Sequence, residues 1–200
     1  MTAALPSIPQ AVIQAYRDLV HSIRTLRPLV GTAFLILLAA GIIQHLLRLD
    51  DETERSRLLI GFLLGAAQQF LLMPYYLAVH RLVILDEATR SYRLAPREPG
   101  FQRFYWLSVA FDFLLFLPTM MMPLLAPLRI RYQVALFMIA FFVTAYVFLR
   151  LIVIFPAFAV DAPGATLKNA YADTKGRSWR TLGIILLAHL PFIPALVALA

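Results

Sequence analysis

Three ionisable side chains interrupt long apolar runs in this chain: Asp112, Arg150 and His189. An ionisable group in hydrocarbon costs several kcal/mol unless it is paired, so these positions are where chemistry would be sought first. Measured along helices at about 1.5 Å per residue, Asp112 and His189 stand about 12 Å, and Arg150 about 8 Å, from the same side of their segments. Gln68 and Gln69 lie near the middle of a further apolar run. Asp112, Arg150, His189 and Gln69 are therefore the candidate intramembrane polar cluster. One reading is an ion or proton site. The plainer reading is an ion pair between Asp112 and Arg150 that joins two consecutive antiparallel helices, with Arg150 partly snorkelling to the head groups. Nothing in the sequence shows a water-filled path, so the ion pair is the expectation.

Other constellations lead away from catalysis. The chain has no cysteine, which excludes disulfides, thiolate metal sites and cysteine nucleophiles. His21, His45, His80 and His189 form no HxxxH or similar spacing. Met120, Met121 and Met122 point in three directions on a helix, about 100° apart, so they do not converge on a soft metal. No P-loop, no GxSxG and no helix with paired carboxylates is present. The expectation is a non-enzymatic protein with no catalytic residue, no cofactor and no metal. Gly61 and Gly65 form a GxxxG followed by Ala66 and Ala67. Small residues let helix backbones approach closely, so this is a candidate helix-packing face, within the chain first and for a homo-oligomer second.

The elements that must position these residues follow from composition. Of the 200 residues, 61% are hydrophobic and 14% charged, and mean hydropathy is +0.77. Soluble domains are about 45–50% apolar and about 25% charged, so lipid must cover what a water-soluble fold could not. The expected fold is all-α: a polytopic transmembrane helix bundle of about five spans plus amphipathic interfacial helices, in one integral membrane domain over residues 1–200. Residues 7–26 carry Ile8, Val12, Ile13, Tyr16, Leu19, Val20 and Ile23 at helical spacing, with Arg17, Asp18, His21 and Arg24 between them. That pattern predicts a helix lying in the membrane interface. Spans are predicted at about 28–47, 58–79, 104–126, 132–155 and 181–200, each near the ~20 residues that cross a ~30 Å hydrocarbon core. Pro74 predicts a kink in the second. The chain ends on the fifth span without a polar tail, which fits a fragment or a lost sixth helix.

Lys and Arg set the expected orientation. One side holds Arg17, Arg24 and Arg27, then Arg81, Arg90, Arg93, Arg97 and Arg103, then Lys168, Lys175, Arg177 and Arg180. The other holds Arg48, Arg55, Arg57, Arg129 and Arg131, with Asp50, Asp51, Glu52 and Glu54 beside the first three. The richer side is expected in the cytoplasm, with the N-terminus, in a bacterial inner membrane. The net charge of +7 is thus read as orientation and head-group contact rather than nucleic-acid binding. Expected partners are membrane lipids and either a membrane-protein partner or a second copy. The runner-up function is a transporter or ABC-type permease subunit, on the matched depth of the polar residues and the Pro-broken spans.

Two stretches resemble a known pattern. They are AVHRLVILDE, Ala78 to Glu87, and RLIVIFPAFAVDAPGATLKNAYADTKGRSWRTLG, Arg150 to Gly183. The chain resembles an uncharacterised bacterial family of multi-span inner-membrane proteins, and more distantly the membrane domain attached to some glycerophosphodiester phosphodiesterases. In that family a WHR-x-VLLGE-like stretch follows the second helix, and an R-x-x-x-x-x-PA-x-AVD stretch leads into A-x-x-x-T-x-G-x-x-WR. The matching residues are His80, Arg81, Leu85 and Glu87; Arg150, Pro156, Ala157, Ala159, Val160 and Asp161; and Ala170, Thr174, Gly176, Trp179 and Arg180. Val79 stands where the family has Trp, and Asp86 where it has Gly. The resemblance implies topology, usually with six spans, and no activity. Ala170, Tyr171, Ala172 and Gly176 also faintly resemble the ATPase-docking loop of ABC importer permeases, without its glutamate and with the following proline displaced to Pro191.

Overall fold

The computed structural model describes residues 6–47, 54–89 and 91–192. Within them the chain forms eight α-helices: α1 (Ile8–Thr25), α2 (Arg27–Leu46), α3 (Glu54–Leu85), α4 (Pro99–Leu125), α5 (Ile130–Leu151), α6 (Ile154–Ala159), α7 (Leu167–Asp173) and α8 (Ser178–His189). A 3₁₀ turn, Leu190–Phe192, follows. Four of these helices, α2 to α5, are long and apolar enough to cross a membrane. The expected fifth span is helical up to His189, and its residues 193–200 lie outside the described residues, as do Arg48, Asp50, Asp51, Glu52 and Arg90.

Local sequence explains the helix boundaries. Ser7 and Gln10 close a capping box at the start of α1: the Ser7 amide donates to the Gln10 side chain at 2.8 Å, and the Gln10 amide donates to the Ser7 hydroxyl at 3.4 Å. α1 and α2 meet at Leu26, whose φ of −101° and ψ of 28° leave the helical region. The break is expected there because Pro28 has no amide proton to continue the ladder back to Arg24. α3 ends on Asp86, at a φ of 56°. The fourth predicted span, 132–155, is corrected: α5 stops at Leu151, two turn residues intervene, and α6 begins at Ile154.

Successive long helices pack side by side, α2 on α3, α3 on α4 and α4 on α5. Their tightest contacts gather at the end that holds the start of α2 and α4 and the close of α3 and α5. Leu26 and Leu29 bury against Ala78 and Leu82. Met73 packs with Phe101, Phe104 and Ala159, and Phe111 with Ile154 and Ala170. α6 fills the corner between α3 and α4, and α7 rests on α5. Towards the other end, Phe62 meets the rings of Phe113 and Phe116 at centroid distances of 5.8 and 6.2 Å. Elsewhere the spans are bare: only 11–17% of each apolar window is buried. Lipid tails are as apolar as leucine, so such helices are held by close packing and hydrogen bonds rather than by expulsion of water.

α1 packs lengthwise on α8. Arg180 donates to the Pro6 carbonyl, a Cβ on Gly183 would stand 3.4 Å from Ile8 Cδ1, and the Tyr16 hydroxyl donates to the Ala188 carbonyl at 2.6 Å. The three contacts advance together along both helices, so α1 and α8 run parallel and share one inclination.

Candidate functional site

The predicted polar cluster resolves into separate arrangements. Gln69 on α3 donates its amide proton to the Asp112 carboxylate on α4, and Gln69 Oε1 is buried without a partner among the described residues. The expected ion pair between Asp112 and Arg150 does not form. Arg150 is buried at 5% exposure and turns into the corner between α5 and α7. It donates to the Tyr171 carbonyl, and its guanidinium carbon lies 3.9 Å from the centre of the Tyr171 ring. Thr174 reaches back, donating its hydroxyl towards the Arg150 carbonyl at 2.7 Å. Depth along two spans could not reveal this, because it treated α4 as the only neighbour of Arg150 and left α7 out. A cation beside the last-turn carbonyls of a helix and over an aromatic face is stabilised without a carboxylate. His189 is exposed and, among the described residues, bonds only to the Ile185 carbonyl of its own helix, at 2.8 Å, so it joins neither arrangement.

Gly61 and Gly65 are also corrected in their first role. A Cβ built on either would meet nothing within 4 Å, so the GxxxG is not a close contact inside the described chain. Gln68 lies beyond them, beside an apolar groove between α2 and α3 that is also lined by Ala39 and Ala67.

The densest polar site is one that depth counting missed. At the well-packed end, Arg81 near the close of α3 donates from Nε at 2.9 Å and Nη2 at 2.7 Å to Glu87. Its Nη1 donates to the Ala159 carbonyl at 3.4 Å and stands 3.9 Å from the Asp161 carboxylate. Asp161 closes α6 with a φ of 48°, a left-handed conformation uncommon outside glycine. That turn brings its carboxylate to the first turn of α4, where a Cβ on Gly100 would stand 3.6 Å from Oδ1. A carboxylate at a helix N-terminus faces unpaired amides and the positive end of the helix dipole. Across the same cleft Arg93 stands 3.9 Å from Glu98. The Tyr92 hydroxyl donates to the Leu71 carbonyl at 2.9 Å and holds Tyr92 against α3.

Arg81, Glu87, Ala159 and Asp161 come from the two stretches that carry the sequence resemblance, more than seventy positions apart. Arg150 and Thr174 come from the second stretch alone. These six residues thus lie in two packing corners of the helix bundle, while Trp179 is exposed and Arg180 bonds to Pro6. Among the described residues, no three His, Asp or Glu side chains come together in a way that would hold a metal ion. No family model, curated protein or solved structure matches the chain.

Proposed function

We propose that this chain is a multi-pass protein of a bacterial cytoplasmic membrane, with its N-terminal helix and basic end on the cytoplasmic side. It works by packing against lipids and partner membrane proteins rather than by catalysis. One observation carries the reading: the chain turns Asp112 and Arg150 inwards onto neighbouring helices and leaves its spans bare. Asp112 is engaged by Gln69, and the Arg150 guanidinium by the Tyr171 carbonyl and ring, while residues such as Phe34, Leu38, Leu63, Ile139 and Phe142 face outwards. Polar side chains spent on joining helices are structural, and bare apolar faces need lipid or another helix. The similarity to a family of multi-span inner-membrane proteins belongs to this proposal, as does a fifth crossing over residues 181–200.

A transporter or permease subunit is the second reading, favoured by the placement of Asp112 in the middle of α4, on the α3 side. Purification in mild detergent separates the two. Bound phospholipid with no ATPase supports the first reading. A stoichiometric ATPase, or substrate-dependent flux in liposomes that Asp112→Asn abolishes, contradicts it.

A further inference from the structure

The cleft built around Arg81 is amphipathic in a direction that matters. Its cavity is about 660 Å³. One wall is apolar and belongs to the spans, with Pro74, Leu77 and Phe101. The rest of the lining is charged, with Arg93, Glu98 and Asp161. From Pro74 to Arg81 the wall rises seven residues along α3, about 10 Å, from the body of a long helix to its last turns. α3 has 32 residues and so measures about 48 Å, more than a hydrocarbon core of ~30 Å. In a bilayer its end, and the mouth of the cleft, stand at the level of the lipid head groups.

The charges at the mouth are of both signs and are only loosely used. Arg81 is engaged by hydrogen bonds to Glu87 and the Ala159 carbonyl. Arg93, by contrast, meets Glu98 at 3.9 Å, and Asp161 meets Arg81 at 3.9 Å. Both separations are too long for hydrogen bonds. The side chains of Arg93, Glu98 and Asp161 make no hydrogen bond among the described residues. A simple anion would meet three carboxylates here, counting Glu87, and a simple cation would meet two guanidiniums. A zwitterion satisfies both.

We propose that this cleft binds a phospholipid whose head group joins a phosphate to a primary ammonium, with the phosphate towards Arg93, the ammonium towards Glu98 and Asp161, and the glycerol end along the Pro74–Phe101 wall. The proposal rests on the membrane reading above and names a lipid for it. A primary ammonium donates three hydrogen bonds to carboxylates, whereas a trimethylammonium donates none, so the site discriminates phosphatidylethanolamine from phosphatidylcholine.

The test uses the full chain in nanodiscs of equimolar phosphatidylethanolamine and phosphatidylcholine, with retained lipid identified by native mass spectrometry. The expected result is severalfold enrichment of phosphatidylethanolamine that falls to parity in the Glu98→Gln, Asp161→Asn double variant. Asparagine tolerates the left-handed backbone at 161, so the fold is kept, and a cooperative melt only a few degrees below that of the wild type checks this. Equal retention of the two lipids by the wild type, or enrichment that survives the double variant, overturns the proposal. Free phosphoethanolamine that binds as tightly as the lipid also overturns it, by assigning the cleft to a soluble zwitterion. Failure of the chain to enter nanodiscs would strike the membrane reading instead, so the two failures are distinguishable.

Discussion

The Tyr16 hydroxyl donates to the Ala188 carbonyl across 2.6 Å, tying the first helix of the chain to the last one described. Because α1 and α8 run parallel, their inclinations are linked. An α1 lying flat in the interface carries residues 178–189 flat with it, and an α8 that enters the membrane tilts α1 out of the plane. Tyr16→Phe should lower stability by about 0.5–1.5 kcal/mol, the worth of one hydrogen bond. Gly183→Leu should cost more, because the Cβ alone already touches Ile8. Thermal unfolding in detergent measures both. A Gly183→Leu variant as stable as wild type would count against the α1–α8 contact.

Gln69 and Asp112 are coupled, and Asp112 and Arg150 are not. The Asp112→Asn and Arg150→Gln effects on stability should therefore add, within about 0.3–0.5 kcal/mol in the double variant. Gln69→Leu combined with Asp112→Leu should instead cost less than the sum of the two single changes, since each single change strands a polar partner. Strong non-additivity between Asp112 and Arg150 would restore the ion pair expected from their depth.

Asp86 holds a φ of 56° at the end of α3, a conformation that glycine adopts without penalty. Asp86→Gly should stabilise the protein by about 0.5–1 kcal/mol, read as a rise in melting temperature. Asp161→Gly relieves the same kind of backbone cost but removes the carboxylate facing Arg81 and α4, so it should not show that gain. A fall in stability for Asp86→Gly would assign a role to the Asp86 side chain.

Burial pushes the Tyr92 phenol above its ordinary pKa, and its proton is also donated to Leu71. The folded protein therefore holds the neutral form more firmly than the unfolded chain does. The resulting stability is complete below the unfolded value of about 10 and is lost as pH rises through the folded value. Tyr92→Phe should cost about 0.5–1.5 kcal/mol at neutral pH, and the gap between variant and wild type should narrow above pH ~10. A gap that stays constant into alkali would separate Tyr92 from the alkaline transition.

The long helices were legible because hydropathy over about twenty residues is a strong signal, and Arg27, Arg103 and Arg131 bracket the apolar runs. The capping box at Ser7 and Gln10 was present in the sequence but was absorbed into the amphipathic pattern. The polar sites were less legible because their partners are backbone groups. Arg150 pairs with a carbonyl that exists only once α7 folds onto α5, and no residue type announces a carbonyl. Asp161 reaches α4 through a left-handed turn that depth counting cannot see. Arg81, Glu87, Asp161, Arg150 and Thr174 lie in the stretches Ala78 to Glu87 and Arg150 to Gly183, and the fold brings them into its two polar corners beside Arg93 and Glu98.

Membrane crossing by α2 to α5, with the basic end in the cytoplasm, is the claim on which the rest depends. The chain has no cysteine, so single cysteines report cleanly. Leu128 is exposed in the turn between α4 and α5, and Ser91 is exposed in the loop at the other end of the helix bundle. On intact cells an impermeant thiol reagent should label Leu128→Cys and leave Ser91→Cys unlabelled until the cells are lysed. Labelling of Ser91→Cys but not Leu128→Cys on intact cells would contradict the orientation, and recovery of both variants in the soluble fraction would contradict the membrane fold itself.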